Sequence, residues 1–395
     1  MKSSPERFLE RIRLLQERIR EEHWDCALLF YSRDVLYYTG TAQPSYLFVC
    51  PGDYLLFVRS GISFALREVG IERDRIVEER SLTNIYKRIA SRSECRRVGT
   101  ELDILPVNGH KEFCKSFPRS EFLDASPVIL DQRSRKDTSE IRHLREACKA
   151  VDAGNKAALE SLQPGITELE LSSIIEAAQR RNGHEGAIFM RQPDFFMSRG
   201  PLASGPNIMK FSGVVYSVTG VGLSPAIPAG PSRRKIERGD LVVVDIPTFV
   251  RGYHADQTRT YILGKPQEEV KDLYEGLKEI ADHLILSIRP GIRCSDLYRM
   301  AEAKARELSL DDAFLSFANG KRSHMIGHGI GLECSEPPII SKDNNSLIQQ
   351  DMVVTVELHL MKRRVGLVKL EDMVHVGRNK NEILTISQRN MEEIH

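Results

Sequence analysis

Asp240-Leu-Val-Val-Val-Asp245-Ile-Pro-Thr-Phe-Val-Arg251-Gly252-Tyr-His-Ala-Asp256-Gln-Thr-Arg-Thr-Tyr261 is the stretch on which the fold of the second half of this chain turns. Leu241 to Val244 is an apolar, β-branched run with the composition of a buried strand, and Arg251-Gly252 is a place for the chain to reverse into a second strand ending at Tyr261. Two acids stand in these apolar surroundings, Asp245 and Asp256. They are symmetric about the boundary between Val250 and Arg251, so a hairpin centred there makes them direct cross-strand neighbours. Opposed side chains of an antiparallel pair lie about 4.5–5.5 Å apart at Cβ, where like charges repel. An uncompensated pair of buried carboxylates is costly, so the hairpin calls for positive charge between them.

The same logic recurs downstream. Met352 to Glu357 has a buried-strand pattern ending in an acid, and Val368 to Val376 carries another, Glu371. Lys362-Arg363-Arg364-Val365-Gly366 supplies the turn, and a centre at Arg364 makes Glu357 and Glu371 cross-strand neighbours. Between the two hairpins lies Ser323-His324-Met325-Ile326-Gly327-His328-Gly329-Ile330-Gly331, where small residues flank His328 and let backbone and metal approach closely. Four carboxylates bring a charge of about −4, which two divalent cations would neutralise while one imidazole completes a coordination sphere. An oxygen-rich site with one imidazole suits Mn²⁺, Co²⁺, Fe²⁺ or Zn²⁺.

Working outward, the chain has 395 residues, 41% hydrophobic and 28% charged, enough for two domains with sizeable cores. A net charge of +1, from 56 basic and 55 acidic residues, gives no footprint for nucleic acid or an anionic membrane. Seven cysteines without Cys-x-x-Cys spacing argue for free thiols in a reducing compartment, hence a cytoplasmic protein. No apolar run approaches the roughly 20 residues that span a bilayer. Ser3 or Ser4 is placed to cap a first helix carrying Phe8, Ile12, Leu15 and Ile19 on one face. Short strand and helix patterns then alternate to about Leu130, as in a small α/β domain. Residues 131–139 are polar and read as a linker, and residues 140–395 as a second domain that begins with a long helix, Glu140 to Leu162. Thr167 is a candidate cap for a helix over Glu168 to Arg181, and further helices are expected at Glu268 to Ser287 and Cys294 to Leu308.

These residues resemble the creatinase, prolidase and aminopeptidase P family, whose "pita-bread" fold is shared with methionine aminopeptidase. The resemblance spans nearly the whole chain, including Leu36-Tyr37-Tyr38-Thr39-Gly40 in residues 1–130, which look like a creatinase-type α/β N-terminal domain. It implies an α+β protein with a pita-bread catalytic domain and a homodimer. The family's ordered ligands fall on Asp245, Asp256, His328, Glu357 and Glu371. By resemblance, Asp256 and Glu371 bridge two divalent metal ions, Asp245 chelates one, and His328 and Glu357 bind the other. The implied reaction is attack of a metal-bridging hydroxide on an amide bond of a small peptide or peptide-like substrate, as in Xaa-Pro dipeptidases.

Departures from the family pattern are equally specific. Ala229, in Ile227-Pro228-Ala229-Gly230, and Ser335, before Glu336-Pro337-Pro338, replace two histidines that serve the family's chemistry. His359 stands in place of the glycine of a Glu-Pro-Gly, and Lys369 replaces an arginine. His324, His359, His254 and Lys369 are therefore the candidate catalytic groups, although His254 and His359 are equally readable as hydrogen-bonded sheet residues. Cys334 and Ser335, lacking an identified base or oxyanion site, read as small residues lining a site wall. Two rivals to a peptidase stay open at this level: a metal-dependent hydrolase or lyase for a non-peptide metabolite, and a non-catalytic binding module of the same fold.

Overall fold

Phe8, Ile12, Leu15 and Ile19 recur at helical spacing and all are buried along one face of the first helix, α1 (Pro5–Glu21). The computed structural model describes residues 5–192, 200–210 and 217–394, so the cap expected at Ser3 or Ser4 lies outside the described residues. Contacts divide the chain into two units, Met1–Arg133 and Ser134–His395. After α1 the first unit runs β1 (Cys26–Leu29), α2 (Ser32–Thr39), β2 (Ser45–Cys50), β3 (Asp53–Val58), α3 (Ile62–Glu68), β4 (Ile76–Glu78), α4 (Leu82–Ile89), β5 (Arg97–Thr100), α5 (Val107–Ser116), β6 (Glu121–Asp124) and α6 (Ser126–Ser134). Its six strands lie in the order β4-β3-β2-β1-β5-β6, with the expected β2–β3 hairpin closing at Cys50 and Asp53. Leu28, Phe48, Phe57, Ile85, Val98, Phe113 and Phe117 share one buried cluster over this sheet.

The second unit begins where the sequence reads as linker. Asp137 accepts hydrogen bonds from the Ser139 and Glu140 amides while the Glu140 carboxylate accepts one from the Asp137 amide. This capping box starts the long helix α7 (Thr138–Ser161), so residues 131–139 hold the end of one helix and the start of the next around three intervening residues. Thr167 and Glu170 form a second capping box that starts α8 (Glu168–Arg181). The chain continues through β7 (Leu202–Ser204), β8 (Leu241–Asp245), β9 (Thr248–Val250), β10 (Tyr253–Ala255), β11 (Thr258–Leu263), α9 (Glu268–Ser287), α10 (Cys294–Glu307), β12 (Met325–Gly329), β13 (Glu336–Ser341), β14 (Val353–Lys362), β15 (Gly366–His375), β16 (Glu382–Ile383) and β17 (Glu392–Ile394). A nine-stranded sheet follows the path β13-β12-β14-β15-β11-β8-β7, with β16 on β15 and β17 on β11.

One face of this sheet is covered by helices. Val242, Val244 and Tyr261 pack with Ala158, Leu171 and Ile175 of α7 and α8. Val356, Leu358, Val368 and Leu370 share a cluster with Leu277, Ile280 and Leu284 of α9 and Leu297 and Ala301 of α10. Because side chains alternate along a strand, burying these residues turns Asp245, Thr258, Glu357 and Glu371 to the opposite face.

The first hairpin differs from its sequence reading by register. Val250 pairs with Tyr253 across a turn in which Arg251 and Gly252 both have positive φ, 52° and 86°. A two-residue turn of this hand matches the twist of the strands, and it centres the hairpin between Arg251 and Gly252. Asp245 consequently faces Thr258, not Asp256. The ladder is also interrupted, because β9 and β10 form their own two-stranded sheet, and Asp256 sits in the break before β11. The second hairpin has the expected register: Glu357 faces Glu371 directly.

Candidate metal centre

Pairing between strands sets the acids in a row. Asp245 on β8 faces Thr258 on β11, Thr258 faces Glu371 on β15, and Glu371 faces Glu357 on β14. Asp256 precedes Thr258 by two residues, and β12 brings His328 alongside β14, where its amide donates to Thr355 Oγ1 at 3.2 Å. That approach needs glycine on both sides. A Cβ at Gly327 would lie 2.0 Å from the Thr355 carbonyl oxygen, and one at Gly329 would lie 2.3 Å from that of Pro337.

Ligand-capable atoms of Asp256, His328 and Glu371 all lie within 4.8 Å of one another, and so do those of Asp245, Glu357 and Glu371. The structure thus brings together the residues Asp245, Asp256, His328, Glu357 and Glu371 in two overlapping groups that share Glu371. Asp256 Oδ1 and Glu371 Oε1 are buried without a hydrogen-bond partner among the described residues. Orphaned carboxylate oxygens of this kind are the donors a hard or borderline divalent cation takes, and the donor set fits one. His328 Nδ1–H donates to the Gly329 carbonyl oxygen at 2.9 Å, which leaves Nε2 as a lone pair 3.8 Å from Glu371 Oε1 and 4.0 Å from Glu357 Oε2.

Electrostatics repeat the message. Burial, then the neighbouring Asp245 and Glu357, push Asp256 up to about 8. Burial and the charges of Asp256 and Glu357 hold Glu371 well above the usual carboxylate range. Burial raises Asp245 as well, against the pull of Lys369. Glu357 behaves oppositely: burial would raise it, but the Lys369 charge beside it brings it down to about 2. The Lys369 ammonium is fully buried, hydrogen-bonded to Asp245 Oδ2, 2.7 Å from Glu357 Oε1 and 3.8 Å from Glu371 Oε2.

The remaining candidates are scattered. His359 lies on the same face as Glu357, cross-strand from Lys369, with its ring 4.6 Å from that of Phe317 and Nε2 buried without a hydrogen-bond partner among the described residues. Burial, then the Lys369 charge, lowers it to about 4, so the ring is neutral. His254 accepts from the Phe189 amide at Nε2, 3.0 Å, and its Nδ1 lies 3.1 Å from the Gly331 carbonyl oxygen, so both ring nitrogens serve the backbone. His324 is exposed, ahead of β12, while Ala229 and Ser335 are half-buried.

Thr258, Arg259 and Asp372 went unnoticed in the sequence, whereas Cys334 was read there as a residue of the site wall. Thr258 Oγ1 donates to Glu371 Oε2 at 3.0 Å. The buried Arg259 guanidinium donates to the Glu371 carbonyl oxygen at 2.7 Å and to Asp372 Oδ1 at 2.7 Å, and Asp372 also accepts from Thr385 and Arg389. Cys334 Sγ donates to Asp256 Oδ2 at 3.3 Å, and burial, with Asp256 beside it, keeps this thiol protonated. The alternation of Thr258 and Arg259 along β11, directly after Asp256, was a usable signal, since it places Thr258 beside the acids and Arg259 behind them.

Residues 142–378 match metallopeptidase family M24, and residues 11–135 match the creatinase/prolidase N-terminal domain. A Xaa-Pro dipeptidase of Pyrococcus horikoshii is 25% identical over 389 residues, covering 97% of this chain and 98% of that protein. The Xaa-Pro dipeptidase of Pyrococcus furiosus is 27% identical, with coverage of 97% and 99%. The solved prolidase from Pyrococcus horikoshii OT3 aligns over 96% of this chain and 99% of its own with a TM-score of 0.79 at 27% identity. A Xaa-Pro dipeptidase from Bacillus anthracis shares the fold with a TM-score of 0.82 at 24% identity, over 98% of this chain and 99% of that one. Among the described residues, no helix is long and apolar enough to cross a membrane.

Proposed function

The chain belongs to metallopeptidase family M24, with a creatinase/prolidase N-terminal domain, and from that premise we propose that it hydrolyses the amide bond before proline in small Xaa-Pro peptides. The carrying observation is the convergence of Asp245, Asp256, His328, Glu357 and Glu371, with buried acceptor oxygens on Asp256 and Glu371 left for a cation. Relatives named as Xaa-Pro dipeptidases over nearly the full length support the substrate class.

Bound to these donors, a divalent metal supplies Lewis-acid polarisation of the scissile carbonyl and activation of water. The protein's own residues prepare for it. Thr258 engages one oxygen of Glu371 and leaves the other for the cation. Arg259 and Asp372 fix the backbone behind Glu371, and the Gly329 carbonyl sets the His328 tautomer. His359, neutral and with Nε2 unpartnered, is the imidazole we assign to the substrate in the absence of the histidines replaced by Ala229 and Ser335. His254 we assign to holding the backbone around Gly331, and the exposed His324 to no step.

The test is direct. Full-length chain, freed of metal and then supplied with Mn²⁺ or Co²⁺, is expected to release proline from a panel of Xaa-Pro dipeptides, and Glu371→Gln is expected to abolish release together with metal binding. Metal-loaded wild type that releases no proline from any member of the panel would refute the substrate assignment.

A further inference from the structure

The two overlapping donor groups are not equivalent, because one of them already holds a cation. Lys369 is fully buried, and its Nζ bonds to Asp245 Oδ2, lies 2.7 Å from Glu357 Oε1 and 3.8 Å from Glu371 Oε2. Those are the three carboxylates of one group of ligand atoms, Asp245, Glu357 and Glu371. The other group, Asp256, His328 and Glu371, offers unpartnered oxygens on Asp256 and Glu371 and the Nε2 lone pair of His328. We propose that the Lys369 ammonium takes the place of one of two cations, so that this centre keeps a single tightly held divalent ion, on the Asp256, His328 and Glu371 side.

Local structure holds the ammonium there. Lys369 lies cross-strand from His359, two pairs along from Glu371 and Glu357, and so on the same face as both acids. Its backbone is pinned from both sides by Thr260, whose Oγ1 accepts from the Lys369 amide at 3.0 Å and donates to its carbonyl oxygen at 2.7 Å. An ammonium is a compact point charge with three donors, suited to bridging carboxylates that would otherwise repel. A divalent ion bound between Asp245 and Glu357 would compete for the same oxygens and meet the ammonium's charge with little screening. An arginine here, as in the family pattern, spreads its charge over a planar fork and does not present a point charge of this kind. The expectation of two cations drawn from four acids thereby becomes one metal ion and one ammonium.

This inference rests on the metal-dependent reading above, and metal counting separates the two. Full-length chain dialysed against Mn²⁺ and analysed by plasma mass spectrometry is expected to retain about one ion, and Lys369→Met, which keeps length and removes charge, about two. Lys369→Arg tests the point charge itself, and a second ion is expected to return there as well. Electron paramagnetic resonance of the manganese-loaded wild type needs no variant and is expected to show an isolated ion, which decides the matter if Lys369→Met fails to fold by circular dichroism. An exchange-coupled pair in the wild type, or a folded Lys369→Met chain that still retains one ion, overturns the role of Lys369 and leaves the metal-dependent reading standing. Wild type that retains no metal overturns both.

Discussion

Thr258 shows how much of this centre depends on single atoms. Its hydroxyl occupies Glu371 Oε2 and leaves Oε1 unpartnered, so Thr258→Val, similar in shape, is expected to weaken metal binding about 10-fold or more with little change in fold. Equilibrium titration with Mn²⁺ checks this, and an unchanged affinity would mean that the hydroxyl does not orient the ligand. His359 makes a different claim. If its imidazole meets the substrate, His359→Phe is expected to lower kcat for a Xaa-Pro dipeptide by about 100-fold while metal content stays the same. A loss of metal in parallel with activity would reassign it to the structure of the centre. At this scale the sequence was legible where chemistry demands one residue type: Asp245, Asp256, His328, Glu357 and Glu371 were found by order and local context, and they converge. Lys369 was visible only as a substitution, because nothing in a linear pattern says that a strand lysine points its ammonium into a ring of acids. His254 has the composition of a catalytic group, but two backbone contacts engage its ring, and those partners lie 65 and 77 positions away in the chain.

Strand pairing converts those residues into a site, and here sequence reasoning was right for one hairpin and off for the other. β14 and β15 are long, continuous and pair without a bulge, so symmetry about Arg364 gave the observed Glu357–Glu371 neighbours. The earlier ribbon is broken at Ile246-Pro247 and at Asp256-Gln257, and its turn takes both Arg251 and Gly252. Asp256 is thereby released from facing Asp245 and set beside His328 and Glu371. Register depends on which residues the turn consumes, a matter of a few tenths of backbone preference that composition does not reveal. The β12–β14 contact is more demanding. Gly327→Ala would press a methyl against the Thr355 carbonyl, so a cost of about 2 kcal/mol is expected in denaturant unfolding, with metal affinity falling because His328 is carried away from the acids. If unfolding and metal binding are both unaffected, the close approach is not what places His328. By contrast, Asp137→Ala removes the cap of α7, away from the acids, and is expected to cost about 1 kcal/mol without altering metal binding.

Across the whole molecule, the centre trades stability for binding. Three buried acids and the half-buried Glu357 meet one buried ammonium, and the raised Asp245, Asp256 and Glu371 report that their charged forms are disfavoured in the metal-free fold. The surrounding sheet, covered on its other face by α7, α8, α9 and α10, tolerates that cost because its apolar clusters are extensive. A ligand that binds the folded chain and not the unfolded one adds stability by mass action, about 2.7 kcal/mol at a free concentration near 100 times Kd, or roughly 5–10 °C in Tm for a domain of this size. Thermal unfolding followed by far-ultraviolet circular dichroism is therefore expected to move upward by that order on adding Mn²⁺ and to return on chelation. Glu371→Gln separates this linkage from ordinary damage to a core. Neutralising a carboxylate that sits well above its usual range removes repulsion from Asp256 and Glu357, so the variant in chelator is expected to melt at or above the wild-type temperature, yet to gain nothing from metal. A variant that melts lower than wild type in chelator would show that Glu371 supports the fold through its hydrogen bond to Thr258 more than it strains it through charge.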